Sequence, residues 1–298
     1  MLADRGGAYL AACTIYRDAA RYLPEWIEFH RLMGVERFLL YDNGSTDDLQ
    51  EVLRPYVEEG LATVHAWPKT FLGRRGRPHA IVTAFEHCIG AHRDDARWIA
   101  CLDLDEFLFT PDGTPLPEVL RDYERHPGLV VNRAEFGPSG HVTQPDGLLI
   151  ENYVQRRPLR PDQEAPYKSI VDPSRVARCL TAHSFVYRDG LAVDEDERPV
   201  DVRWRTTRKP VAWARLRVHH YWSKSEEERS RKAELWRGVG SSRRVPTAPV
   251  AGPPIRHPRL VGNALVVDRT HSVTDESLIG YAPAVGEAVA QRERTRSA

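Results

Sequence analysis

The sequence predicts an α/β protein with a mainly parallel sheet flanked by helices. The prediction comes from short apolar runs that alternate with helically spaced apolar residues. Apolar runs typical of buried strands occupy residues 9–16, 37–41, 61–67 and 98–102. Segments with amphipathic helical spacing lie between them, at residues 20–33, 49–57 and 80–91. This alternation implies right-handed crossovers and a ligand site beyond the carboxyl ends of the strands.

Residues beyond the fourth predicted strand follow a less regular pattern. Helices are expected at residues 116–124 and 226–236, and short strands at 129–131 and 148–150. Prolines from residue 246 onward interrupt regular structure until residues 263–268. A chain of 298 residues with ordinary apolar content can bury one large core. We therefore expect a single domain over residues 1–240 and a C-terminal extension over 241–298.

The net charge of the chain is zero, with 42 basic and 42 acidic residues, which argues against nucleic acid as a partner. Basic residues concentrate between positions 203 and 244, either as a solvated face or as a wall beside a phosphate-bearing ligand. The four cysteines include no Cys-x-x-Cys pair that would suggest zinc. No signal-peptide pattern is present, and no apolar stretch reaches the roughly 18 residues of a membrane helix. We expect a cytoplasmic protein without a transmembrane segment.

Two aspartates follow the fourth predicted strand at its carboxyl end. Asp103 and Asp105 are separated by one residue, and both can face a cation because the alternation of the strand ends there. Carboxylate oxygens suit Mg²⁺ or Mn²⁺, and such a cation can bridge the oxygens of a diphosphate leaving group. His219 or His220 could add an imidazole ligand. The competing interpretation is that Asp103 or Glu106 caps the next element.

A second polar segment, residues 42–48, follows the second predicted strand. Its Asn43-Gly44 dipeptide is a strong β-hairpin signal. The apolar residues from Leu49 to Tyr56 have helical spacing instead, which favours a turn that leads into a helix. Asp42 is then expected at the same edge of the sheet as the two aspartates.

Residues 41–47 and 98–107 resemble the nucleotide-binding turn and the metal-binding strand of GT-A glycosyltransferases of family 2 and of the related family 92 type. Looser similarity to acceptor-side segments is found at residues 136–141, 168–171 and 219–225. The resemblance implies a GT-A, Rossmann-like fold. It also implies a nucleotide-binding half over residues 1–110 and an acceptor-binding half over 111–240.

The resemblance assigns nucleotide contacts to five positions, one of which is Asp103. The backbone near Thr14 and Tyr16 and the carboxylate of Asp42 would hold the nucleobase. An acceptor there suits the imide N–H of uracil or thymine, which implies a UDP-linked sugar. Lys224 would neutralise phosphate charge.

The resemblance also implies a metal site that needs Mn²⁺ or Mg²⁺. Asp105 would ligate the metal directly, Asp103 would lie near the ribose or the metal, and His220 would be a further ligand or a diphosphate contact. The implied function is a hexosyltransferase that moves a sugar from a nucleotide-sugar donor to an acceptor hydroxyl with inversion. The acceptor could be a glycan or a small natural product.

An inverting transferase needs a group that removes the proton of the acceptor hydroxyl. Glu135 is the first candidate, because it follows a predicted strand and opens an acceptor-side segment. The resembling family more often has an aromatic residue at this position. Glu151, Asp194 and His183 are further candidates.

Two other classes of protein fit part of the pattern. A nucleotidyltransferase or a nucleotide-sugar phosphohydrolase would share the parallel sheet and the acidic metal site, and residues 73–77 could imitate its phosphate loop. A non-catalytic binding protein with the same fold would be expected to have lost the metal motif. Asp103 and Asp105 are both present, which disfavours that class.

Overall fold

The computed structural model describes residues 7–69, 79–159, 164–201, 206–207, 211–238, 260–261, 264–265 and 273–297. Contacts between residues divide the chain into two compact units. The first unit comprises Met1–Arg133, Arg160–His219 and Pro283–Ala298. The second comprises Ala134–Leu159 and His220–Ala282. This division differs from the predicted boundaries at residues 110 and 240, because each unit combines segments that are distant in the sequence.

The secondary structure alternates between strands and helices up to the fourth strand. The strands, in chain order, are β1 (Ala8–Tyr16), β2 (Arg37–Asp42), β3 (Ala62–Ala66), β4 (Ala96–Cys101), β5 (Glu106–Phe109), β6 (Gly128–Glu135), β7 (Gln155–Arg156), β8 (Ala165–Val171), β9 (Val176–Cys179), β10 (Phe185–Tyr187), β11 (Thr206–Thr207), β12 (Arg217–His220), β13 (Leu260–Val261), β14 (Ala264–Leu265) and β15 (Val273–Thr274). The helices are α1 (Leu23–Leu32), α2 (Leu49–Glu58), α3 (Ala80–Ala91), α4 (Leu116–Arg121), α5 (Leu149–Asn152), α6 (Glu226–Gly238) and α7 (Ala282–Ser297). Strands β6 and β12 begin in the first unit, and their last residues belong to the second.

The large sheet has the strand order β3-β2-β1-β4-β8-β6-β12-β5, with β11 paired to β8. Strand β1 is parallel to both β2 and β4, and β2 is parallel to β3. Strand β8 then runs antiparallel to β4 and to β6. The predicted α/β class is confirmed. The register places Tyr16 opposite Asp42, so the carboxyl ends of β1 and β2 coincide.

The core of the first unit follows from the apolar runs of β1, β2 and β4. Cys13 of β1 pairs in register with Cys101 of β4, and Cys88 and Ile89 of α3 lie in the same buried cluster. All four cysteines are free and buried. Within the described residues, no helix is long and apolar enough to cross a membrane.

Helix α1 covers Leu23–Leu32, which lies within the predicted range of residues 20–33. Pro24 lies in the first turn, where its missing N–H has no helical partner to lose. Gly34 ends the helix with φ +97°, a conformation that side chains rarely adopt. A Cβ at this position would also lie 2.6 Å from Pro117, so the site has room only for glycine.

Several segments differ from the prediction, among them residues 148–150 and strand β5. Residues 148–150 were predicted to form a strand, which is wrong: they enter the short helix α5. Glu151 accepts a hydrogen bond from the Leu148 amide and so caps that helix. Strand β5 was not predicted, because its four residues are all buried and show no alternation between faces.

The C-terminal helix α7 packs with the first unit, although the sequence predicted an extension over residues 241–298. Arg292 on this helix forms ion pairs with Glu28 of α1 and with Glu59, which follows α2. Its guanidinium also lies over the ring of Tyr56, 4.8 Å from the centroid. Helix α7 thereby ties α1 to α2.

A buried histidine joins α1 to β5. His30 donates from Nδ1 to the Trp26 carbonyl and accepts at Nε2 from the Leu108 amide, at 2.8 and 3.1 Å. Trp26 in turn donates to the carbonyl of Glu106. Because Leu108 donates to Nε2, the imidazole must be neutral.

Acidification is expected to destabilise the fold through His30. Burial lowers the pKa of this residue from 6.5 to about 4, against the opposing effect of its hydrogen bond to Trp26. As the pH falls, the unfolded chain takes up this proton at a higher pH than the folded chain does. The contribution of His30 to the free energy of unfolding is therefore complete above pH 6.5 and is lost as the pH falls to about 4. The loss should be about 3 kcal/mol in the free energy of unfolding.

Urea unfolding of the wild type and of His30→Gln, from pH 7 to pH 4, measures this contribution. Gln can accept from the Leu108 amide without titrating, so the variant should lose about 3 kcal/mol less than the wild type. Equal losses in the two proteins would contradict the assignment.

Candidate functional site

Polar side chains of β1 and β2 meet at the carboxyl ends of these strands. Thr14 and Tyr16 lie on one face of β1, because they are two residues apart. Both are buried, and neither hydroxyl has a hydrogen-bond partner among the described residues. Burial and the nearby charges of Asp42 and Asp47 raise the pKa of Tyr16, so its hydroxyl stays protonated. Such hydroxyls can donate to a polar ligand at this edge of the sheet.

The turn after β2 is closed by the carboxylate of its first residue. Asp42 Oδ1 accepts from the amides of Gly44 and Ser45 at 3.0 and 2.8 Å. The Asn43 side chain donates to the Trp67 carbonyl at 2.7 Å, which ties the turn to the end of β3. The turn leads into α2, so the β-hairpin interpretation of Asn43-Gly44 is wrong. Strands β2 and β3 are parallel, and a hairpin cannot join parallel strands.

The loops after β1 and β2 are joined by direct hydrogen bonds. Asp18 has φ +49°, and its Oδ1 accepts from the Thr46 amide at 2.7 Å while its own amide donates to Ser45. The Ala20 amide donates to Asp47 Oδ2 at 2.9 Å. A strained non-glycine residue held by cross-loop bonds is typical of a preorganised binding loop.

The two aspartates predicted to bind metal follow β4 in a closed turn. The Asp103 amide donates to Glu106 Oε2 at 2.8 Å, and the Glu106 amide donates to the Asp103 carbonyl at 3.0 Å. Glu106 is fully buried and opens β5. It is therefore the capping residue that the competing interpretation of the sequence expected.

A buried network of charges holds this turn. Lys168 Nζ lies 2.9 Å from Asp103 Oδ1 and 3.1 Å from Glu106 Oε2, and its side chain is 1% exposed. Arg133 Nη1 lies 2.8 Å from Glu106 Oε1. Burial alone would lower the pKa of Lys168, but the two carboxylates raise it, so the ammonium stays charged. Two cations and two anions thus compensate one another inside the protein.

Asp103 remains ionised in this environment. Burial by itself would raise its pKa, but Lys168 and the nearby imidazole of His183 lower it below the usual value. The charge of Asp105 acts in the opposite direction and raises the pKa of Asp103. The two carboxylates therefore lie close enough to repel each other, and a cation between them would relieve that repulsion.

The donor set fits a cation of the Mg²⁺ or Mn²⁺ kind. Asp103 is 31% exposed and Asp105 is half-buried, so both can reach a bound ion. In the part of the chain that the structure describes, no group of three or more His, Cys, Asp or Glu side chains is placed to hold a metal. The fit rests on the two carboxylates alone, and proteins commonly hold Mg²⁺ through one or two carboxylates while substrate phosphates and water complete its coordination.

Two of the candidate bases are engaged in local structure. Asp194 accepts from the Arg198 guanidinium at 2.7 Å and from the amides of residues 196 and 198. Glu151 caps α5. His183 lies in the first unit, next to Ala182, whose carbonyl lies 3.4 Å from the same Lys168 ammonium that pairs with Asp103.

The second unit holds Glu135 and His220 as a pair. Glu135 Oε2 lies 2.8 Å from His220 Nδ1, and the Phe136 amide donates to the His220 carbonyl. The pair sets the tautomer and orientation of the imidazole, which is a common role for a carboxylate beside a ligating histidine. Lys224 lies in the same unit with φ +45°. The predicted roles of these three residues stay predictions.

His219, which the sequence also offered as a possible imidazole ligand, lies in the protein interior. It is buried in the first unit, and its ring lies edge-on to Phe109 with the centroids 4.6 Å apart. Much of the basic region at 203–244, and the segment 73–77 predicted to imitate a phosphate loop, lie outside the described residues. Arg215, which is described, pairs with Asp122 and Tyr123.

Sequence reasoning missed Lys168 and Arg133 as site residues. Lys168 interrupts the apolar run of β8, and a lysine inside a buried strand signals a carboxylate partner. That signal was present, but it could not identify Asp103 and Glu106 as the partners.

These features define an α/β protein whose acidic side chains follow parallel strands, at the edge where such sheets bind ligands. The model of Glycosyltransferase family 92 matches residues 9–235. The chain therefore belongs to glycosyltransferase family 92. The matched region contains the turns after β2 and β4 and both residues of the Glu135–His220 pair.

Similar proteins are found in plants and bacteria. A glycosyltransferase family 92 protein of Oryza sativa subsp. japonica is 32% identical over 188 residues, which is 61% of this chain and 30% of that protein. A galactan β-1,4-galactosyltransferase of Arabidopsis thaliana is 30% identical over 116 residues, 37% of this chain and 22% of that protein. Residues 1–349 of TarS of S. aureus share 10% identity at a TM-score of 0.42, over 78% of this chain and 64% of that chain. The chain spans about a third of the length of the rice relative.

Replacing Lys168 by Met should destabilise the first unit. The substitution leaves Asp103 and Glu106 without the ammonium, and breaking a buried ion pair on one side typically costs about 3–5 kcal/mol. Urea unfolding gives the free energy of unfolding. Arg37→Met, at an exposed basic residue of β2, is the control and should change it by less than about 0.5 kcal/mol. A loss below about 1 kcal/mol for Lys168→Met would contradict the network.

Proposed function

We propose that this chain carries a glycosyltransferase domain that moves a sugar from a nucleotide-sugar donor to an acceptor hydroxyl. The observation that carries the proposal is the ionised acidic turn after β4. It lies at the same sheet edge as the Asp42 turn, because β1 is flanked by β2 and β4 in parallel. Membership in family 92 supports the same activity.

The donor is proposed to be UDP-linked. Asp42 closes its own turn through Oδ1, which leaves Oδ2 to accept the imide N–H of uracil. The buried hydroxyls of Thr14 and Tyr16 on the neighbouring strand can donate to the nucleoside. The loops after β1 and β2 are already joined, so a nucleotide would bind to an ordered surface with little loss of entropy.

A divalent cation, Mn²⁺ or Mg²⁺, is proposed to be held by Asp103 and Asp105. When bound, such an ion neutralises the charge that develops on a diphosphate leaving group. Lys168 keeps Asp103 ionised and fixes the turn, so the protein presents the carboxylates before the donor arrives. Lys224 is proposed to contact the phosphates.

The acceptor is proposed to be a glycan, with a small natural product as the second class to test. The galactan β-1,4-galactosyltransferase relative makes UDP-galactose and galactan oligosaccharides the first compounds to try. Transfer is proposed to occur with inversion. A nucleotidyltransferase or phosphohydrolase is separated by its products, because it would release a pyrophosphate or a nucleoside monophosphate rather than the nucleoside diphosphate.

Asp105→Asn should remove metal-dependent transfer. A carboxylate ligand contributes several kcal/mol of charge stabilisation through the ion, so the rate of UDP release should fall at least about 100-fold. The assay incubates UDP-sugars with Mn²⁺ and candidate acceptors and measures UDP. Asp94→Asn, at an exposed aspartate of the first unit, is the matched control and should keep the wild-type rate. Retention of metal-dependent UDP release by Asp105→Asn would exclude this residue as a ligand.

Asp42→Asn should weaken nucleotide binding without unfolding the turn. The Asn Oδ1 can still accept from the Gly44 and Ser45 amides, but the negative charge is lost. Loss of a charged hydrogen bond of about 1.5–3 kcal/mol predicts a Kd for UDP that rises about 10- to 100-fold. Calorimetric titration with UDP measures it, and Asp48→Asn at the start of α2 is the control. If both variants bind UDP as the wild type does, Asp42 does not contact the base.

A further inference from the structure

Three histidines of the first unit form a cluster on one face of the large sheet. His65 lies in β3, His87 lies on α3, and His92 is the residue that follows the end of α3. The centroid of the His65 ring lies 5.3 Å from the centroids of both other imidazoles. The glycosyl transfer proposed above uses none of the three, so the cluster is a candidate for a separate function.

The ring of His65 is held in place by the sheet. His65 pairs in register with Tyr41 of β2, so the two side chains point to the same face. Their rings stack with centroids 4.7 Å apart and planes 22° from parallel. Tyr41 is itself buried, and its hydroxyl lies 2.8 Å from His87 Nδ1. His65 is half-buried and therefore presents its Nε2 atom from a fixed position.

The ring of His92 is oriented by a carboxylate. His92 Nδ1 lies 2.8 Å from Asp95 Oδ2. A carboxylate only accepts, so Nδ1 carries a hydrogen, and the lone pair of the neutral ring lies on Nε2. The backbone is also tied, because the His92 amide donates to the Cys88 carbonyl and the Asp95 carbonyl accepts from the Ala8 amide. A carboxylate in this position commonly orients a histidine that binds a metal ion.

The Nε2 atoms of His65 and His92 face each other at 3.1 Å. Without an ion, His65 Nε2 carries a hydrogen and donates it to the lone pair of His92. A tetrahedral Zn²⁺ ion with Zn–N bonds of about 2.0–2.1 Å holds two nitrogen atoms about 3.3–3.4 Å apart. The two rings would need to separate by only about 0.2–0.3 Å to receive such an ion, while the hydrogen of His65 moves from Nε2 to Nδ1.

We propose that His65 and His92 form a binding site for a divalent transition-metal ion of the Zn²⁺ type. Imidazole suits Zn²⁺, Cu²⁺ and Ni²⁺, whereas Mg²⁺ prefers carboxylate oxygens and water. Among the described residues, no further His, Cys, Asp or Glu side chain is placed to make a set of three, so water completes the coordination. Asp95 is the positioning residue that fixes the ring of His92.

A bound ion would join β3 to the end of α3. Trp67, two residues after His65, donates its amide to the Asp42 carbonyl at 2.6 Å, and its own carbonyl accepts from Asn43. The ion would therefore brace the strand end that supports the Asp42 turn. The metal site itself does not depend on glycosyl transfer, and its test measures no transfer.

Calorimetric titration of the full chain with Zn²⁺ tests the site, with excess Mg²⁺ present to compete for the carboxylates of the acidic turn after β4. In His92→Asn, the amide can still donate to Asp95, but it has no atom equivalent to Nε2. The Kd for Zn²⁺ should rise more than about 100-fold in His92→Asn and about 10- to 100-fold in Asp95→Ala. His87→Asn, whose amide can still bond to the Tyr41 hydroxyl, is the matched control and should keep the wild-type Kd.

Thermal unfolding gives an independent measure of the same site. Zn²⁺ at about 100 times its Kd should raise the Tm of the wild type by about 5 °C and leave the Tm of His92→Asn unchanged. Without metal, the two proteins should have the same Tm. If Zn²⁺ binds His92→Asn as tightly as it binds the wild type, or does not bind the wild type, the site is overturned.

Electron paramagnetic resonance with Cu²⁺ provides a measurement on the wild type that does not depend on the folding of a variant. One equivalent of Cu²⁺ should show hyperfine coupling to two imidazole nitrogens. His65→Phe keeps a ring against Tyr41 and should reduce the coupling to one nitrogen. A wild-type spectrum with fewer than two coupled imidazole nitrogens would contradict the site, while the proposed glycosyl transfer would be unaffected.

Discussion

The ammonium group of Lys168 is the constraint on which the acidic turn depends. It is almost fully excluded from water, so it must be compensated by anions inside the protein. Asp103 and Glu106 supply them, and Arg133 balances the second carboxylate. Strands β5, β6 and β8 each contribute one member of the network. The shape of the turn after β4 therefore follows from charge compensation between strands that are distant in the sequence.

The loops after β1 and β2 are organised by a different means. Among the described residues, the hydrogen bonds that join these loops involve no buried ion pair. Instead, aspartates close the loops by accepting hydrogen bonds from backbone amides. Asp18 and Asp47 cross from one loop to the other, while Asp42 serves its own turn. The Asp42 carboxylate has two oxygens, so Oδ1 can hold the backbone while Oδ2 faces a ligand. The loops are thereby ordered before any nucleotide binds.

The parallel half of the sheet could be predicted from sequence because its signals are local. The apolar runs of β1, β2 and β4 and the helical spacing of α1 and α3 each lie within a few turns of chain. The positions of Asp42 and Asp103 at strand ends followed from that pattern. The partners of Lys168 could not be predicted, because they depend on pairing between strands about 35 to 65 residues apart. Residues 148–150 were misassigned because a short apolar run suits a buried helix turn as well as a strand.

The contact of Arg292 with Glu28 has a consequence for how the protein is made. The two residues are separated by 264 positions. At roughly 5–20 residues per second, translation needs about 13–50 s to pass from one to the other. During that interval α1 and α2 are complete, but the surface that receives α7 is open to water. The first unit therefore closes only after α7 has been synthesised, and until then this surface is open to any chaperone that meets the ribosome.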